Sequence, residues 1–138
     1  MTAPVVLEIP AQRDHLALVR LLVETAAHLA DLPPVRVDDL RLAVSEGCTN
    51  AIDAHVEAGA PGPVRVEVHV SPEAVTVVVI DRAGGFDPGA APAAPAPSDP
   101  HRLRHERGLG IPIMRSLVDE VRFEPTPEGT ALSLVVNR

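Results

Sequence analysis

The sequence predicts an α+β two-layer sandwich, a largely antiparallel mixed sheet with helices on one face. Three observations carry that prediction. Strand-like runs come in groups with helical stretches gathered between them, in the order β–α–α–β–β–loop–α–β–β. Val64 to Val70 alternates apolar and polar residues, as a strand with one wet face does. Leu40, Val44, Cys48 and Ala51 recur at spacings of three and four, as on the buried side of a helix.

Taken in order, Val5 to Ile9 reads as a short strand closed by Pro10. Asp14 to Leu29 reads as a helix, with Leu18, Leu21, Leu22, Thr25 and Leu29 expected on one side, and Pro33 and Pro34 ending it. The second helix is expected from Leu40 to His55, with Asp38 as its N-cap and Asp39 in its first turn. The turn cluster AGAPGP, Ala58 to Pro63, closes that helix. Ala74 to Asp81 is more continuously apolar than Val64 to Val70, as befits a central strand, and the two pair most simply as a hairpin. Phe86 to Arg107 is rich in Pro and Ala and has no periodicity; a loop of that length is often a lid or a binding loop. A helix from about Pro112 to Val118 and two strands, the last from Gly129 to Val136, finish the chain.

The bulk numbers set limits. The 138 residues suffice for a single core, and the chain is read as one domain over 1–138. That core is aliphatic, since Phe86 and Phe123 are the only aromatics. A net charge of -7 and the lack of stacking aromatics argue against nucleic-acid binding. Cys48 is the only cysteine, which excludes an intrachain disulfide. No apolar run approaches membrane-spanning length and the N-terminus lacks signal-peptide character, so a cytoplasmic protein is expected.

Three stretches carry candidate chemistry. Glu46, Asn50 and Asp53 stand at i, i+4 and i+7, on one polar helical face. A carboxylate one turn before a carboxamide places a general base beside a metal-binding oxygen; the plain alternative is the solvated side of an amphipathic helix. Asn, Gly47 and Thr49 are unusual choices for such a solvated side. Asp81, ending a buried strand before Gly84 and Gly85, can accept a hydrogen bond from an exocyclic amine, or merely end a strand in a glycine turn. Gly108-Leu109-Gly110 ahead of a helix offers backbone N–H groups to phosphate, with Arg102, Arg104 and Arg107 nearby.

The order and spacing of Glu46…Asn50, Asp81-x-x-Gly-Gly, Gly108-x-Gly and Gly129-Thr130 resemble the nucleotide-binding boxes of the GHKL, or Bergerat-fold, ATPases. Within them the chain is similar to the bacterial RsbW-type anti-sigma-factor serine/threonine kinases. The similarity spans SEGCTNAI, GGFDP and RGLGIPIMRSLVDEV. It implies a histidine-kinase-like ATPase fold with ATP and Mg²⁺ as cofactors. Asn50 would hold Mg²⁺, Glu46 would be the general base, and Asp81 would bind the adenine amine. Gly85 would lie under the ring and Thr130 beside it, with Asp53 also in the nucleotide site. Arg107, Gly108, Leu109 and Gly110 would belong to the phosphate-wrapping lid. The implied partners are a sigma factor and an anti-sigma-factor antagonist that is the phosphorylated substrate, with a homodimer expected. Two positions depart from the family pattern: Ala83 stands where its box has a glycine, and Ala54 stands four residues after the asparagine, followed by a His55 read as structural. The alternative left open is a catalytically lapsed or nucleotide-free anti-sigma binding module.

Overall fold

A computed structural model describes residues 3–84 and 110–138, and the expected lid at about 86–107 lies outside them. The described chain runs β1 (Val5–Ile9), α1 (Leu16–Leu29), α2 (Pro34–Ala58), β2 (Val64–Val70), β3 (Ala74–Asp81), α3 (Gly110–Leu117), β4 (Glu120–Pro125) and β5 (Thr130–Asn137). The strands form one sheet in the order β1-β2-β3-β5-β4, so β3 is central as expected. The mixed sheet foreseen from the sequence is antiparallel at each of its four pairings.

Alternation sorts the strands into two faces. Val64, Val66 and Val68 of β2, Val75, Val77 and Val79 of β3, and Leu132, Leu134 and Val136 of β5 are buried beneath the helices. Each such side chain contributes on the order of 1.5–3 kcal/mol by leaving water. Their neighbours Arg65, Glu67, His69, Thr76 and Val78 stand on the other face, half-buried. There Glu67 accepts hydrogen bonds from Arg65 (2.8 Å) and His69 (3.1 Å). The Arg65 bond, helped by His69, holds the Glu67 carboxyl below the usual carboxylate range against the opposing effect of burial.

Helix α2 is the long element, and its apolar stripe is the one expected: Leu40, Val44, Cys48 and Ala51 are buried. Its start is not. Pro33 is the N-cap in extended backbone and Pro34 occupies the first turn, so the helix begins a full turn before Asp38. A proline there loses no helical hydrogen bond, because the first N–H groups have no partner in the helix. Asp38 instead pairs with Arg41 one turn on (3.1 Å). At the other end Gly59 takes the left-handed conformation (φ 61°) that closes the helix.

The face assigned to α1 is corrected. Leu16, Val19, Val23, Ala26 and Ala27 are buried, whereas Leu18, Leu21 and Leu29 are exposed and Thr25 faces solvent with them; of the expected side, Leu22 packs against the core. The segment LALVRLLVETAAHL is apolar on both sides, and the side bearing alanines is the one that lets α1 approach its neighbours closely. At its end Asp31 adopts a positive φ of 58° ahead of the Pro33-Pro34 entry into α2. The ends of α2 and α3 are tied together by Arg36, which donates to the Leu117 carbonyl (3.2 Å) and to Asp119 (2.8 Å). Asp119 also accepts the Asn137 N–H at 2.7 Å.

Cys48 lies wholly inside this core, and burial pushes its thiol up to about 12 despite the opposing pull of Arg20. Native protein at pH 8 is therefore expected to resist a thiol-directed disulfide reagent, with one equivalent titrating only in denaturant. Rapid stoichiometric labelling of the folded protein would contradict this seating of α2.

Candidate functional site

The polar face of α2 emerges where that helix crosses the sheet. Contact there is close because of Gly47, which is buried against the sheet and not on the wet side. A Cβ at Gly47 would stand 2.6 Å from Leu132 Cδ2 of β5. The glycine singled out as unusual for a solvated face is thus a packing residue. Leu132 fills the place where its side chain would be, and α2 lies down on the strand.

With α2 seated, Glu46 is half-buried, Asn50 is exposed and Asp53 is half-buried. Around the helix axis Glu46 and Asp53 project within about 20° of each other, with Asn50 about 40° from Glu46. Among the described residues, neither Glu46 nor Asn50 spends its side chain on a hydrogen bond or ion pair. Asp53 does: its two oxygens accept from Arg13 Nη2 at 2.9 and 3.0 Å. Glu46 opens onto a cleft of about 450 Å³ between α1 and α2 that is lined also by Arg20, Arg41, Ser45 and Thr49. Ser45 fixes that wall by donating to the Arg41 carbonyl (2.8 Å) while accepting from Arg20 Nε (2.9 Å).

The second part of the site is the end of β3. Asp81 lies directly opposite Thr130 in the β3–β5 register, so those two predicted residues are brought together. Its Oδ1 accepts the Ala83 N–H at 3.1 Å, which orients the carboxylate and leaves the other oxygen for a further donor. The approach depends on Gly129: a Cβ there would overlap the Asp81 carbonyl oxygen and come within 2.6 Å of its Oδ1. Gly84 has a φ of 102°, and its N–H bonds the Glu128 carbonyl (3.0 Å), pinning the turn after β3 to the β4–β5 turn. Arg82 reinforces that contact through Glu128 at 3.1 Å.

His55 joins the two parts. It is buried, its Nε2 accepts the Arg82 N–H at 2.9 Å, and Nδ1 faces the Ala60 carbonyl at 3.4 Å. That pairing defines a neutral ring with its proton on Nδ1. The last turns of α2 are thereby fixed to the residue that follows Asp81. His55 is structural, as expected, but its task is to hold the site's halves in register. The demand that a buried imidazole find partners was the available signal. Arg13 had none, since its partner lies 40 positions away.

Of the other predicted residues, Gly85, Arg107, Gly108 and Leu109 lie outside the described residues, while Gly110 is the first residue of α3. No cluster of three or more His, Cys, Asp or Glu able to hold a metal exists among the described residues.

An α+β sandwich of this topology is the fold of the histidine kinase-like ATPase domain, and the model of that family matches residues 9–136. The chain belongs to that family, and within it to the RsbW family, whose relatives carry the name serine-protein kinase. It is 31% identical over 121 residues to serine-protein kinase RsbW of Bacillus subtilis, covering 86% of this chain and 76% of that one. With the Bacillus pumilus RsbW it shares 29% over 141 residues, 96% of this chain and 85% of the relative. The Staphylococcus aureus protein of the same name shares 26% over 132 residues, covering 93% and 82%. The fold is also that of the crystal structure of the RsbU and RsbW domains of a Mycobacterium tuberculosis protein, with a TM-score of 0.69 at 19% identity. That match covers 98% of this chain and 32% of the longer one.

His55→Ala removes both hydrogen bonds and leaves the Arg82 N–H beside a cavity, so a loss of about 2–4 kcal/mol is expected in urea unfolding. A change below about 0.5 kcal/mol would deny His55 its joining role.

Proposed function

We propose that this protein is an ATP-dependent serine/threonine kinase that binds a sigma factor and phosphorylates the antagonist protein competing for it. The observation that carries the reading is the pairing of an uncommitted Glu46–Asn50 face with a strand-end Asp81 whose surroundings are cleared by Gly129. Kinship to proteins named serine-protein kinase supports the same reading.

The donor set fits the ligands. Asp81 would accept the adenine amine with its free oxygen, and Thr130 opposite would line the ring's edge. Asn50 would offer its side-chain oxygen to Mg²⁺, with the phosphates furnishing further ligands, a division suited to a hard ion that keeps few protein ligands. When bound, that ion neutralises charge on the β- and γ-phosphates. Glu46 would take the proton from a serine or threonine hydroxyl as its oxygen bonds to the γ-phosphorus. The bond to the bridging oxygen breaks, and ADP leaves with its electron pair. The cleft at Glu46 would be the approach for the acceptor chain. Gly85, Arg107, Gly108, Leu109 and Gly110 would close over the phosphates.

Glu46→Gln keeps the shape of the side chain and removes its basicity. Phosphotransfer to the acceptor protein should fall by on the order of 100-fold or more while ATP affinity stays within a few-fold. Radiolabel transfer and fluorescent-nucleotide binding measure the two separately; undiminished transfer would remove Glu46 from the role of base.

A further inference from the structure

Asp53 is a charge on the polar face of α2 that the reaction does not need. Asp53 stands a single helical turn beyond Asn50 and in line with Glu46, on the side where a triphosphate would lie. A bare carboxylate there repels a polyanionic nucleotide, and its side chain, only 18% exposed, is poorly screened by water. The chain meets this with Arg13. One guanidinium nitrogen spans both Asp53 oxygens at 2.9 and 3.0 Å, although the partners are 40 residues apart.

Arg13 is well placed to do so. It opens a short 3₁₀ turn, Arg13–His15, that leads into α1. That turn is held by Gln12 N–H to the Pro10 carbonyl (2.7 Å) and His15 N–H to the Gln12 carbonyl (3.3 Å). Buried Ile9 anchors the strand before it. The backbone is thus fixed, while the Arg13 side chain is itself 63% exposed. A pair so wet adds little to folding. Its effect on a neighbouring anion is larger, because it replaces a net negative charge at the Asn50 face by a neutral pair.

We infer that Arg13 is a positioning residue for the nucleotide: by cancelling Asp53 it makes the Asn50 face of α2 acceptable to the phosphates of ATP. The inference rests on the reading of that face as the phosphate side of a nucleotide site. It predicts an effect that scales with phosphate charge and acts through Asp53.

The test is equilibrium binding of ATP and adenosine, with Mg²⁺, to wild type, Arg13→Gln, Arg13→Lys and the Arg13→Gln/Asp53→Asn double variant, with melting curves for each. Arg13→Gln should weaken ATP about tenfold and adenosine less than twofold. Raising salt should shrink the ATP difference. Arg13→Lys should stay within about threefold of wild type, and the double variant should recover most of the loss. Equal weakening of ATP and adenosine, unchanged ATP affinity in Arg13→Gln, or a double variant as weak as the single one each overturns the inference. Wild type that binds adenosine and ATP normally in those cases leaves the nucleotide site standing; wild type that binds neither overturns both.

Discussion

The contact between Gly47 and Leu132 is the constraint on which the rest depends. Helices over sheets ordinarily keep their distance through side chains; here a missing side chain on α2 receives a leucine of β5. That seat sets the height and rotation of α2. The stripe Leu40, Val44, Cys48 and Ala51 goes inward, and Glu46 and Asn50 surface at the helix's edge. The same strand β5 begins at Thr130, opposite Asp81, after Gly129 has let it pass. One strand therefore positions both halves of the candidate site, and His55 locks them through the Arg82 N–H.

The electrostatics follow from that geometry. A chain with net charge -7 and no lysine has to manage repulsion wherever it meets a polyanion. Arginines answer locally: Arg13 at Asp53, and Arg20 and Arg41 along the cleft at Glu46. Guanidinium groups suit the task, because their planar donors bind carboxylate and backbone oxygens while keeping a fixed charge.

Much of this was legible in the sequence, for physical reasons. The apolar periodicity of α2 and the alternation in β2 are direct consequences of burial, so the sheet-and-helix plan and the central place of β3 could be read. Spacing within a helix also brought Glu46, Asn50 and Asp53 to one face. What could not be read was decided by tertiary packing. The segment of α1 is apolar on two sides, and only the fit of small alanines selects the inner one. Asp38 looked like a cap because acids favour helix starts, yet the Pro33-Pro34 step nucleates the helix earlier. Gly47 looked functional and is a seat. The Arg13–Asp53 pair, joining residues 40 apart, has no local signature at all.

The central claim is that α2 and β3 together present a magnesium-dependent nucleotide site, and calorimetric titration with ATP, with and without Mg²⁺, tests it most directly. Saturable ATP binding that tightens at least several-fold with Mg²⁺, and loses that gain in Asn50→Ala, is the result the account predicts. Absence of ATP binding in either condition would contradict it and leave a kinase-like fold that works only by gripping another protein.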